Sequence, residues 1–410
     1  MEILLQLSKK FPLQSWVSLL LAATLLALPL SSTGKSIAAV LSVITIIMIP
    51  EFRRDLRFVL FEKWSLAALA LFSIAVLACL WSPADWGDKG FVIEKYSKLL
   101  YLPILAVGFQ DAKTRQLALY AFLLAVTITC MLSILKFHGF LSFFQFNPDR
   151  VFRNHIMTGF MVAFGTYLSF LFAYRHSGYS RYGYVLLGLL FSYQELFVNG
   201  GRTGYVLYFL MMGLLIVQLC SLKQAIVASL LVITVFAGSY SLSPVMKGRV
   251  NALVLQIKAY QQNQKDSDIG FRLQFHDYAH QLFNRHPLFG NGTASFTYFY
   301  AKEAPVPGWF WKLWEPHSQY WLIAAEFGLL GITGLFLLFF SLIRASFQLN
   351  QMRVIAFAML LPFMIGNLSD SLLFYSGSGY FFLLFMALCL GEKVELDKNK
   401  RLDNRPSFRL

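Results

Sequence analysis

Twelve continuous apolar stretches run through the chain, near residues 12 to 30, 35 to 50, 64 to 81, 97 to 109, 116 to 136, 155 to 174, 182 to 198, 204 to 220, 223 to 240, 318 to 342, 352 to 367 and 373 to 391. A backbone inside hydrocarbon must satisfy its own amides, and about 20 apolar helical residues cross a bilayer, so these stretches predict membrane-spanning helices. Their repetition excludes a single signal peptide or tail anchor, and with it a soluble enzyme, a disordered scaffold and a secreted disulfide domain. Their continuity, with no alternation, excludes a transmembrane β-barrel. Composition agrees, with 57% hydrophobic and 14% charged residues, against roughly a quarter charged in a soluble domain. The expected fold class is an all-α integral membrane protein of about twelve transmembrane helices.

The 410-residue chain carries 35 Lys and Arg against 21 Asp and Glu, a formal charge of +14. In a soluble chain that excess would suggest nucleic acid. Here it must first be divided between the two sides of a membrane. An even number of spans puts both termini on one side, and alternate connections then collect Lys9, Lys10, Arg53, Arg54, Arg57, Lys63, Lys113, Arg115, Arg175, Arg181, Lys223, Arg344 and Arg353, with six more in the tail from Glu392. The positive-inside rule makes that side cytoplasmic and removes the case for a nucleic-acid partner. Cys79, Cys130, Cys220 and Cys389 all fall within expected spans without paired spacing, so they read as buried free thiols and not as a disulfide or zinc framework. The domain plan is spans one to nine over 1–240, an outer segment over 241–316, spans ten to twelve over 317–391 and a basic cytoplasmic tail over 392–410.

The outer segment is too long for a passive connector. Val250, Leu253, Val254 and Ile257 recur at helical spacing, as do Phe271, Phe275, Tyr278, Leu282 and Phe283, which predicts two amphipathic helices. A turn-rich stretch from His286 to Gly292 follows, then an aromatic run that includes Phe296, Tyr300, Trp309, Phe310 and Trp311. Such aromatics form an interfacial belt or a platform for a sugar ring. Asp266 and Asp268 have the spacing of a metal-binding pair, but their Gln, Asn and Ser neighbours read as a solvated turn. No metal and no cofactor are expected.

Three residues stand out on the outer side. Arg202 follows Asn199-Gly200-Gly201 in a tight connection that holds no other basic residue; it is either a snorkelling anchor or an anion ligand. Arg272 opens the second amphipathic helix, where a solvated face is the alternative. His317 follows Glu315-Pro316 and precedes a long apolar helix, whose positive dipole end disfavours the imidazolium and leaves a neutral, proton-accepting ring. Eleven residues on, Gly328 returns almost to the face of His317, and Gly331 lies about 40° off that line. A smooth groove descending from the histidine, or close helix packing, would use them. Arg150 and Arg153, before the sixth span, are further phosphate candidates, and Lys95 and Lys98 are weaker ones with membrane anchoring as the default.

His317-Ser318, nine residues, Gly328, two residues and Gly331 resemble the histidine motif of the O-antigen ligase family, in which His is followed by Asn, Ser or Gln, nine residues, Gly, two residues, and Gly, Thr or Tyr. The resemblance extends to an Arg in a short outer connection, Arg202, an Arg starting a loop helix, Arg272, and the topology. It implies a GT-C-like architecture in a bacterial inner membrane, with a partly helical periplasmic loop between helices 9 and 10. The implied reaction moves a glycan from undecaprenyl-diphosphate-linked O-antigen to a sugar hydroxyl of lipid A-core at the periplasmic face. Arg202 and Arg272 would then bind the diphosphate and His317 would act as general base. Arg150, Arg153, Ser318, Gly328 and Gly331 would line the substrate site, among membrane lipids. An O-antigen polymerase of the same superfamily is the alternative within the class. A lipid or polysaccharide transporter is the alternative outside it, disfavoured because the spans hold few deep ionisable residues, Glu195 and Glu326 being the exceptions.

Overall fold

The computed structural model describes residues 13–141 and 145–403, and among them the regular structure is helical throughout. Lys9, Lys10 and residues 404–410 of the expected tail lie outside the described residues. The helices are α1 (Leu13–Leu30), α2 (Ser32–Met48), α3 (Pro50–Val59), α4 (Lys63–Leu77), α5 (Trp86–Ser97), α6 (Tyr101–Gly108), α7 (Ala112–Phe137), α8 (His155–Arg175), α9 (Gly178–Tyr193), α10 (Arg202–Leu219), α11 (Leu222–Leu242), α12 (Pro244–Gln261), α13 (Asp268–Arg285), α14 (Ser295–Glu303), α15 (Gln319–Phe347), α16 (Arg353–Gly366) and α17 (Ser376–Asp403). Each of the twelve apolar stretches falls on a helix. Among the described residues, six helices are long and apolar enough to cross a membrane, or seven if α2 and α3, bent by 97° at their junction, count as one.

The other stretches fall short for visible reasons. Residues 97 to 109 hold a short turn of tight helix and then the eight residues of α6. α9 passes into a π-helical turn over Gln194–Val198. α17 is apolar only in its middle and runs on to Asp403, through the residues expected to start the tail. Glu392 explains that continuation: its buried carboxylate accepts the backbone N–H groups of Asn350, Gln351 and Met352, each at 3.0 Å, and ties α17 to the turn before α16.

α8 and the apolar part of α17 occupy the centre of the bundle, and α8 is 89% buried. α1 packs between α2 and α7, α4 lies along α15, and α13 crosses α15. α11 is only 6% buried and turns Leu230, Leu231 and Ile233 outward, as a lipid-facing helix does. Of the two expected amphipathic helices, α13 buries Phe275, Tyr278 and Leu282. α12 buries only Met246 and leaves Val254, Leu255 and Ile257 exposed, so its apolar stripe is not an inward face. The aromatic run divides likewise: Phe296 and Tyr300 enter the core, while Phe310 and Trp311 are exposed.

The expectation that His317, Gly328 and Gly331 share one helix face is corrected by the backbone. His317 lies outside α15 with φ of 58°, and Gly328 breaks the helix with φ 63° and ψ −154°. Angular arithmetic assumes an unbroken helix, so the groove does not form. The turn from Pro287 to Gly292 inserts at the break instead. Leu329 and Leu330 N–H donate to the carbonyls of Pro287 and Leu288 at 2.8 and 3.1 Å, and Asn291 and Gly292 N–H donate to those of Ala325 and Glu326 at 3.1 and 2.8 Å. A Cβ on Gly328 would sit 2.6 Å from the Gly290 nitrogen. Gly331 is buried against Phe327 and Ile323. Both glycines therefore serve a backbone crossing and its packing.

Gly328→Ala should accordingly destabilise the protein, since this backbone region is essentially confined to glycine and costs on the order of 1–3 kcal/mol before any clash. The thermal midpoint of the detergent-solubilised variant should fall by several degrees. A midpoint equal to wild type would contradict the crossing.

Candidate active site

Four helix N-termini converge on one region. His155 begins α8, Arg202 begins α10, Asp268 begins α13, and Ser318 precedes α15. The first turn of a helix presents unpaired N–H groups and the positive end of its dipole, so the region favours an anion before any side chain is counted. A cavity of about 350 Å³ opens there, lined by Arg150, Arg202, Arg249 and Arg272 together with His155 and His317. Among the described residues, Asp268 is the one carboxylate residue on its wall, and Phe271, Phe275 and Trp309 form an aromatic side.

Arg202 is placed by the turn before it. The Asn199 side chain donates to both Glu195 carboxylate oxygens, at 3.0 and 3.1 Å, and its Oδ1 accepts the Gly201 N–H at 3.2 Å. A Cβ on Gly200 would lie 3.0 Å from Arg249 Nη2, so the glycine leaves room for a second guanidinium beside the first. Arg202 itself donates to Gln256 Oε1 on α12 at 3.1 Å and pairs with Asp268 at 3.5 Å. Asp266 and Asp268 are both exposed, and Asp268 pairs with this arginine.

Arg272 Nη1 donates to the Ser369 carbonyl at 2.9 Å and lies 3.6 Å from Asp370 Oδ2. The other Asp370 oxygen is 3.2 Å from His317 Nδ1, and Glu315 Oε1 is 3.3 Å from the same nitrogen. Both carboxylates are almost wholly buried, with side chains 1% and 2% exposed. Buried carboxylates at Nδ1 take the Nδ1–H as a donor and leave Nε2 as the acceptor, which selects the tautomer. The sequence reading weighed only the helix dipole at this ring.

The left-handed backbone of His317 is held from both sides. Glu315 Oε2 accepts its N–H at 2.6 Å, and His276 lies with Nε2 3.1 Å from its carbonyl. Burial pushes the His276 imidazole below its usual range, so it stays neutral and donates there. Tyr375 O–H closes the group by donating to Glu315 Oε1 at 2.6 Å.

The cavity thus brings together Arg202, Arg272, Arg150 and His317 from the sequence reading. Arg153 lies elsewhere: its guanidinium donates to the Leu28 carbonyl at 2.6 and 3.1 Å and to Ser32 Oγ at 2.6 Å, at the C-terminal end of α1. Ser318 is buried, and its Oγ reaches the Asn367 carbonyl at 3.4 Å; it joins α15 to the loop that carries Asp370 and does not face the arginines. Lys98 is no membrane anchor, being buried with Nζ donating to the carbonyls of Leu373, Phe374 and Tyr375. Sequence reasoning missed Arg249, His155, Glu315, Asp370 and Tyr375. Arg249 carried the signal used for Arg202, a basic residue on the outer side, and Glu315 stood two residues from the histidine.

The cavity should bind inorganic diphosphate, and Arg249→Gln should weaken that binding about tenfold or more, since one charge-assisted contact is worth roughly 1.5–3 kcal/mol. Calorimetric titration of the purified protein tests this, and equal affinity in the variant would remove Arg249 from the site.

No curated protein matches the chain. Residues 184–337, from α9 into α15, match the Wzy_C family model, described as O-antigen ligase. That segment supplies Arg202, Arg249, Arg272, Glu315 and His317, while Arg150, His155 and Asp370 come from outside it. Over this segment, the chain is similar to the O-antigen ligase family.

Proposed function

We propose that the protein is a glycosyltransferase that moves a glycan from undecaprenyl diphosphate to a sugar hydroxyl of lipid A-core, at the periplasmic face of an inner membrane crossed about twelve times. The observation that carries this reading is the meeting of four arginines and a carboxylate-held histidine in one cavity of about 350 Å³. A lipid-linked diphosphate leaves with two to three negative charges, so its departure needs fixed positive charge more than a proton. Arg202 and Arg272, with Arg150 and Arg249 beside them, supply positive charge and planar forks that match phosphate oxygens.

In the proposed step the acceptor hydroxyl gives its proton to His317 Nε2 as its oxygen bonds to the anomeric carbon. The bond from that carbon to the diphosphate breaks, and the electron pair leaves with the diphosphate. A single displacement of this kind inverts the anomeric centre. Asp370 and Glu315 keep the ring in the proton-accepting tautomer, a positioning role. A general base in reach contributes roughly 10²–10⁴ in rate, and one lost electrostatic contact to the developing charge costs roughly 10²–10³.

The test is a purified system supplied with undecaprenyl-diphosphate glycan and lipid A-core, with chelator present. Wild type should form the joined product, His317→Ala should form none, and Arg202→Lys, which keeps charge but loses the fork, should be slowed at least tenfold. Undiminished transfer by His317→Ala would remove the base, and a product of longer lipid-linked glycan in place of joined lipid A-core would identify a polymerase.

A further inference from the structure

A second cavity, of about 450 Å³, lies on the other side of His317. His317 and Ile156 line both cavities, and the second is otherwise walled by Asp370, Arg153, Ser32, Tyr375 and the first turn of α17, Ser376 to Ser378. Its surroundings are strongly positive. Lys95 Nζ donates to Ser376 Oγ on the cavity wall at 3.3 Å, and Arg153 donates to Ser32 on the opposite wall at 2.6 Å. Lys98 takes the three carbonyls that lead into the wall strip at Tyr375, and the Lys35 and Lys98 ammonium groups both lie over the Tyr380 ring, at 3.9 and 5.9 Å. Among the described residues the one carboxylate paired with any of these four cations is Glu94, 3.5 Å from Lys95 and itself 68% exposed. Lys35 and Lys98 are buried and Lys95 and Arg153 half-buried, so four basic side chains gather around one exposed carboxylate, an arrangement that favours an anion.

The Arg202–Arg272 cavity already accounts for the leaving diphosphate, and a transferase needs a second substrate that reaches the same imidazole. Resting on that reading, we infer that the second cavity is the acceptor site and that it takes an anionic glycan, with a phosphate or similar group held by Lys95, Arg153 and the first turn of α17 beside the sugar that offers its hydroxyl to His317. Asp370 Oδ2, buried and 3.6 Å from Arg272 Nη1 without a hydrogen bond, can accept one from that sugar. The anion has two possible sources, a phosphate on the lipid A-core sugar or the diphosphate of a second lipid-linked glycan. Arg153 and the imidazole line one cavity and Lys95 bonds to its wall at Ser376, so the charge lies close to the reacting sugar, which favours the core phosphate.

Binding separates this inference from the transfer reaction. Purified protein is saturated with inorganic diphosphate to fill the arginine cavity. It is then titrated with native lipid A-core, with phosphatase-treated lipid A-core, and with undecaprenyl-diphosphate glycan. Wild type should bind native lipid A-core at least tenfold more tightly than the treated form. Lys95→Gln should lose most of that difference, and Lys95→Arg should restore it. Lys95-dependence confined to the lipid-linked glycan would keep the anion site and assign its charge to a diphosphate. Equal binding of native and treated lipid A-core by wild type, with no lipid-linked glycan dependent on Lys95, would overturn the inference. So would a Lys95→Gln variant with wild-type preference. Absence of transfer in the purified reaction would count against the proposed function and leave these affinities readable.

Discussion

Asp370, with a side chain 1% exposed, faces Arg272 at one oxygen and His317 at the other, and the candidate site depends on this contact. The three residues come from α13, from the turn before α15 and from the loop between α16 and α17, so one carboxylate joins segments about a hundred residues apart in the chain. Removing one member of a buried charge pair typically costs several kcal/mol because the survivor stays desolvated. The surrounding contacts reinforce the joint. Gln319 N–H donates to the Asn367 carbonyl and Gln319 Oε1 accepts the Phe374 N–H, which pins the Asp370 loop to the start of α15.

The broken helix has a related purpose in the architecture. α15 begins at the site and would run straight through the bundle but for Gly328. The Pro287–Gly292 turn, immediately after α13, fills the break and exchanges backbone hydrogen bonds with it on both sides. That exchange fixes α13, with Arg272 near its start, relative to α15, with His317 just before it. A backbone-to-backbone joint tolerates little movement, and it serves a site whose groups must hold their separation to fractions of an ångström.

Much of this was legible in the chain because apolar continuity, turn chemistry and misplaced basic residues are local signals. Every apolar stretch lies on a helix, and Arg202, Arg272 and His317 line one cavity. What stayed hidden was non-local. Nothing local marks Asp370, whose partners Arg272 and His317 are distant in sequence, and the closeness of Arg249 to Gly200 is visible only in the fold. The groove from His317 to Gly328 failed because residue counting assumes a regular helix, and a left-handed glycine is invisible to that arithmetic. Lys98 was misread for the opposite reason: a basic residue near an apolar stretch reads as an anchor, while three carbonyls can solvate it inside the protein.

The two cationic regions meet at a single imidazole, and the proposed reaction depends on that arrangement. Its most direct measurement is an experimental structure in a lipid nanodisc with undecaprenyl diphosphate bound. Phosphate oxygens should lie within hydrogen-bonding distance of Arg202 and Arg272, with His317 Nε2 facing the space between the diphosphate and the second cavity. A diphosphate bound away from both arginines, or an imidazole turned from the bound phosphates, would contradict that arrangement.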